Sequence, residues 1–222
     1  MGLAALGLAA VVSATVGLAR TDDGSAAGVY LTGQLLVAAP RIKDPRFQKT
    51  VIFIITHDAQ GAFGLIVNRA TGRASLKKFL KGFGIEGGDA SGDLVVHYGG
   101  PVETGLGFVL HTAEFESPQS RKVAGPFAWS PAPAAIEAAS RGTGPKRYLF
   151  TLGYAGWGPR QLEGEIERGD WLIAPADETL VFELKGDAAW EKARARAGVR
   201  LKAGGRGGES RRAYSCCAPT GA

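Results

Sequence analysis

Residues Thr50–Thr56 (TVIFIIT) limit the possible folds more than any other stretch of this chain. All seven are β-branched or aromatic, types that suit a pleated strand because branching at Cβ restricts χ1. The run does not alternate with polar residues, so the strand it predicts is buried on both faces. Asp58–Gly61 (DAQG) follows as a turn, and Ala62–Asn68 (AFGLIVN) returns as the second arm of a hairpin. With 222 residues and 45% hydrophobic content, the chain can bury one good core around that hairpin.

The flanking patterns predict an α+β domain. Gln34–Ala39 reads as a strand broken by a turn at Asp44-Pro45, and Ser75–Leu80 as a short helix closed by Gly82 or Gly84. Leu94–Tyr98 and Gly107–Thr112 read as two arms of one hairpin joined by Gly99–Gly105 (GGPVETG), with weaker strands at Arg121–Val123 and Phe127–Trp129. Ser130 is placed to cap a helix through Ser140, with Pro131 at its first position and Gly142 beyond its end. Tyr148–Leu152 is a strand, Pro159–Arg168 a helix, Trp171–Ala174 and Leu180–Leu184 strands, and Ala188–Ala197 a last helix stopped by Gly198. Strands outnumber helices and come in hairpins, which points away from a regular doubly wound sheet.

Charge is unevenly distributed. Residues 1–184 hold 17 basic and 18 acidic side chains, whereas residues 185–222 hold nine basic and three acidic ones, so the net charge of +5 comes from the C-terminal end. Four segments follow: an apolar segment 1–19, a linker 20–30, a folded domain 31–198 and a basic tail 199–222 rich in Gly, Arg and Ser. The uncharged run 2–19 is compatible with an export signal lacking its basic n-region, with a membrane anchor, or with a start codon assigned too far upstream. Cys216 and Cys217 are adjacent in the tail and have no other cysteine to pair with, so no disulfide framework holds the core.

Leu152–Ile166 (LGYAGWGPRQLEGEI) has the outline of a phosphate loop: a strand, a glycine-rich turn and a helix. Phosphate chemistry is poorly served by its details. No Lys-Ser/Thr pair follows the last glycine, the glycine order is not that of a dinucleotide fingerprint, and Pro159 removes a backbone donor. Gly158 as a cap, Pro159 at the first helical position, and Glu163, Glu165 and Glu167 toward the positive end of the helix dipole give a purely structural account. His57, His97 and His111 match no short metal-ligand spacing, and no nucleophile signature is present. Nucleic acid is supported only by the basic tail, which holds one aromatic residue, Tyr214.

Several blocks resemble the YqgE/AlgH family: Leu35–Pro40 (LLVAAP), Asp44–Phe47 (DPRF), His57 with Gly61–Asn68 (GAFGLIVN), and Gly99–Val102 (GGPV). The match continues through Gly107–Thr112 (GFVLHT), Leu152–Trp157 (LGYAGW) with Gln161–Glu163 (QLE), Trp171 and Ala174–Asp177 (APAD), in order over residues 31–198. The resemblance implies a compact single domain whose mostly antiparallel sheet curls into a closed, barrel-like core flanked by helices. It brings no catalytic residues, no metal and no cofactor, and its name reflects a proposed role in transcriptional regulation. The function expected is therefore a non-enzymatic regulatory or interaction protein with a protein partner, cytosolic as is usual for the family. The alternative is a small-molecule binder or hydrolase using a polar rim in which His57, Asn68, His111, Arg160 and Gln161 converge. Nucleic acid as a partner rests on the tail and on the family name, and membrane contact or export on residues 2–19.

Overall fold

Ten strands form one continuous sheet in the computed structural model, which describes residues 30–86 and 90–198. The expectations for the apolar segment, for the linker up to residue 29, and for the tail with its two cysteines fall outside the described residues. The predicted hairpin is present as β2 (Val51–Asp58) and β3 (Gly61–Ile66), with β1 (Gln34–Ala38) antiparallel to β2. Val51, Phe53 and Ile55 point into an inner core, while Ile52 and Ile54 belong to a second cluster on the opposite face. The unbroken apolar run is thus buried on both sides, as its composition requires.

Next in the chain come β4 (Ala70–Ser75), α1 (Leu76–Gly82), β5 (Asp93–Tyr98), β6 (Val102–Thr112), β7 (Arg121–Ala124) and β8 (Phe127–Pro131). They are followed by α2 (Ala132–Ser140), β9 (Tyr148–Trp157), α3 (Gln161–Glu167), β10 (Trp171–Pro175) and α4 (Gly186–Arg196). The sheet runs in the order β10-β1-β2-β3-β9-β6-β8-β7, with β5 attached to β9 and β4 to β5. All pairings are antiparallel except β5 with β9. The sheet curls enough that Gly33, just ahead of β1, abuts Ala124 of the terminal strand β7; a Cβ there would lie 2.4 Å from the Ala124 Cβ. It remains a half-barrel rather than the closed core expected, because β7 and β10 are not paired with each other.

Three clusters follow from this curl. The inner one gathers Leu35, Val37, Phe53, Leu65, Leu110 and Phe127 on the concave face. α3 covers the second through Leu162, whose complete burial contributes about 2 kcal/mol. α1 and α2 cover the third through Leu80, Ala135 and Ile136 against Phe150.

Several expectations need correction. β5 and β6 are not arms of one hairpin: they flank β9 on opposite sides, with His97 beside Thr151 and His111 beside Tyr148. The Gly99-Gly100 link must therefore cross over β9, and it does so against Gly153 and Tyr154. The glycines of Leu152–Trp157 lie in β9 itself, not in a turn, and α3 begins only after Arg160, whose φ of 60° makes it the helix cap. Ser130 does not cap α2; its hydroxyl is bonded elsewhere, and Pro131 holds the cap position. Leu180–Leu184 is not a strand: Thr179–Glu183 forms a π-helical turn whose start is tied by Leu180 N–H to Asp177 Oδ1 at 2.9 Å. An apolar run this short has no period to separate strand from helix. β4, polar and mostly exposed, carried no strand signal at all.

Candidate functional site

The five residues expected on a polar rim do not share an environment. His57 is buried at the end of β2; its Nδ1 accepts from Leu31 N–H at 3.1 Å, so Nε2 carries the proton that faces Glu163 Oε1 at 3.3 Å. Asn68 is a backbone clamp. Its Oδ1 accepts from Val51 N–H at 2.8 Å, and its Nδ2 donates to Lys49 O and Gly186 O, both at 2.9 Å. His111 is fully enclosed between Thr112 O, 3.0 Å from Nδ1, and Ser130 Oγ, 2.9 Å from Nε2. Arg160 is exposed at the α3 cap. Three of the five thus spend their polar atoms on separate local partners. A buried polar group so engaged has little left for a ligand.

Gln161 is different, because it opens onto a cleft of about 460 Å³. Its Oε1 accepts from Gly158 N–H at 3.1 Å, and its Nε2 donates to Glu165 Oε1 at 3.0 Å. The other Glu165 oxygen, Oε2, accepts from two indoles at once, Trp157 Nε1 and Trp171 Nε1, each at 2.8 Å. The two rings meet edge to face with centroids 6.0 Å apart, and Phe47 packs edge-on against Trp171 at 5.7 Å. One carboxylate therefore orients both indoles that form the cleft floor.

The rim is charged. Arg41, Lys43, Arg46 and Arg168 line it with Asp44 and Asp170. Asp170 is shared by Arg41 and Arg168, both at 3.1 Å, and Arg46 lies 2.7 Å from Asp44. The hydrogen bonds from the Arg46 side chain and backbone hold the Asp44 carboxyl below its usual range. Arg41, Lys43 and Arg46 come from the Pro40–Lys49 stretch between β1 and β2. On its far side that stretch borders a second cleft of about 590 Å³, lined by Lys49, Arg69, Lys185, Asn68 and Asp187. Among the described residues, no three His, Cys, Asp or Glu side chains gather as metal ligands would, and no helix is long and apolar enough to cross a membrane.

Sequence reasoning missed this cleft although its parts were in view. Glu165 reads as a dipole partner, and Trp157 as a packing anchor, when each is considered alone. Six positions that carry the family resemblance, Asp44, Phe47, Pro101, Trp157, Gln161 and Trp171, line the cleft. They come from four separate parts of the chain, and only the fold joins them.

Replacing Glu165 with leucine is expected to leave two buried indole N–H groups unpaired. Each such loss costs roughly 1–3 kcal/mol, so a drop of about 3 kcal/mol in urea stability is expected, with a shift in tryptophan emission. Unchanged stability and emission would show that the carboxylate does not orient the indoles.

A curled, mostly antiparallel half-barrel with an aromatic-floored, cation-rimmed cleft against α3 defines the class of this protein. Residues 35–202 match the sequence profile of the family described as DUF179, AlgH-like. The chain belongs to that family. It is 43% identical over 170 residues to a UPF0301 protein of Methylococcus capsulatus, covering 77% of this chain and 93% of the relative. It is also 43% identical over 181 residues to a UPF0301 protein of Caulobacter vibrioides, covering 80% and 90%. Among solved structures, the AlgH protein from Pseudomonas aeruginosa superposes with a TM-score of 0.66 at 34% identity, over 81% of this chain and 97% of that one. A protein from Corynebacterium diphtheriae shares the fold, with a TM-score of 0.61 at 22% identity over 76% and 88%.

Proposed function

We propose that this protein is a non-enzymatic interaction module that docks an acidic protein partner on the face centred on the Pro40–Lys49 loop. The observation that carries this reading is the charge gathered there. The two clefts flanking the loop together bring seven cations, Arg41, Lys43, Arg46, Lys49, Arg69, Arg168 and Lys185, against four carboxylates, Asp44, Glu165, Asp170 and Asp187. This local surplus of +3 contrasts with residues 1–184 as a whole, which include all of these groups but Lys185 and Asp187 and hold 17 basic and 18 acidic side chains. Such a patch steers an acidic surface toward the aromatic floor and speeds encounter. Trp157 and Trp171 are too deeply buried, at 7% and 4% exposure, to offer ring faces for stacking a nucleobase.

A photoreactive residue in place of Ile42, between Arg41 and Lys43, tests the reading. A discrete protein adduct is expected in cells, and it should disappear when Arg41, Lys43 and Arg46 are all changed to glutamate. An adduct that survives this charge reversal would exclude the electrostatic docking face. Turnover of a metabolite with no adduct would favour the small-molecule reading instead.

A further inference from the structure

His111 heads a chain of hydroxyls that the cleft does not use. Ser130 Oγ lies 2.9 Å from His111 Nε2, Ser120 Oγ lies 3.0 Å from Ser130 Oγ, and Ser117 Oγ lies 3.0 Å from Ser120 Oγ. The inner two members, His111 and Ser130, are fully buried, whereas Ser117 and Ser120 are half-buried at the surface. The direction of the chain follows from its buried end. Thr112 O is a carbonyl and can only accept, so His111 Nδ1, 3.0 Å away, carries the ring proton and Nε2 is bare. Ser130 must then donate to Nε2, Ser120 to Ser130, and Ser117 to Ser120. Every hydroxyl proton points inward toward the imidazole, and each bond polarises the next.

Such a chain places the half-buried Ser120 hydroxyl two proton transfers from a bare imidazole nitrogen. Ser120 closes a tight turn, its N–H donating to Ser117 O at 3.0 Å. The exposed Arg121 guanidinium spans the same turn, with Nη1 donating to Pro118 O at 2.9 Å and to Ser120 O at 3.0 Å.

We propose that Ser120 is a reactive serine that accepts an acyl group from small activated esters, with Ser130 and His111 as its proton relay. Ser120 Oγ forms a bond to the ester carbonyl carbon while its proton moves to Ser130 Oγ and the Ser130 proton moves to His111 Nε2. Collapse of the tetrahedral adduct breaks the bond to the leaving alcohol or phenol, whose oxygen takes a proton directly from Ser130 Oγ while His111 Nε2 returns its proton to Ser130. The product is acyl-Ser120, and the relay returns to its starting state. Ser120 is the nucleophile of this step; Ser130 and His111 act through it, a relay form of the activated-nucleophile arrangement. The turn lies on an open surface, so the acyl donor is a small ester rather than an extended chain.

The test treats the full chain with p-nitrophenyl acetate and maps the acetylated peptides by mass spectrometry. Acetylation is expected at Ser120 at least tenfold faster than at the exposed Ser91 or at Ser117, and it should vanish in Ser120→Ala. Ser130→Ala should slow Ser120 acetylation at least tenfold, and Ser130→Thr, which keeps a hydroxyl, should restore most of the rate. Equal rates at Ser120, Ser91 and Ser117 in the unsubstituted protein would overturn the proposal without any variant having to fold. An unchanged rate in a folded Ser130→Ala would overturn the relay.

Discussion

Gly100→Ala is expected to cost about 4 kcal/mol or more and to leave little folded protein. A Cβ on Gly100 would lie 2.1 Å from the Tyr154 carbonyl carbon, 2.2 Å from its oxygen and 2.4 Å from Ala155 N, at a φ of +152°. These neighbours are backbone atoms of β9, the strand that β3, β5 and β6 all pair with, so they cannot swing aside as a side chain would. Strain of this kind falls in the upper tail of single-substitution effects, against a total stability of roughly 5–15 kcal/mol for a domain. Gly105→Ala is the control, because a Cβ there meets nothing within 4 Å, and its effect is expected to stay within about 0.5 kcal/mol. Urea unfolding of both variants is the measurement. Coincident midpoints would mean that the Gly99-Gly100 crossing is looser than these contacts.

The second large effect concerns acid. His97 is 3% exposed; burial foremost, and the nearby Lys185 charge next, lower its pKa from 6.5 to about 4. Its Nδ1 faces Phe150 O at 3.2 Å and so carries the ring proton, while Nε2 is buried without a partner among the described residues. The folded protein therefore resists a proton that the unfolded chain takes up readily below pH 6.5. Stability is full above that pH, falls as pH drops from 6.5 toward 4, and levels off below, where both states are protonated. The total loss is about 3 kcal/mol. Burial lowers the pKa of His111 as well, so its contribution has the same sign. His97→Gln, which cannot titrate but can still donate to Phe150 O, should flatten the slope of urea stability between pH 6.5 and 4.5. A slope equal to that of the unsubstituted protein would remove His97 as its source.

These effects arise at places where local sequence signals stop. The Thr50–Thr56 hairpin, the short helices closed by glycine and the α+β class were all legible, because they depend on side-chain period and on residues that favour turns or caps. Leu180–Leu184 was misread because four apolar residues around Glu183 are too short a pattern to carry a usable period, and β4 was missed because an exposed polar strand has no hydrophobic signal. The hairpin expected between Leu94–Tyr98 and Gly107–Thr112 failed for a topological reason. A glycine-rich link between two strand patterns looks the same whether it turns back on itself or crosses over a third strand.

The candidate site divides along the same line. His57, Asn68 and His111 could be singled out as polar residues in apolar surroundings, but their partners are backbone groups and side chains as far as 118 residues away. Gln161 lines the cleft while Arg160 becomes the exposed cap, because α3 starts two residues later than its Pro-based signal implied. What the sequence by itself determined was most of the strands and helices and the family they belong to, since local propensity, periodicity and motif order are written residue by residue. Only the tertiary structure decided that Glu165 holds two indoles, that seven cations meet around one loop, and that three serines lead to a buried histidine. These depend on distances between segments far apart in the chain, and those distances are set by how the sheet curls and by the Gly99-Gly100 crossing over β9.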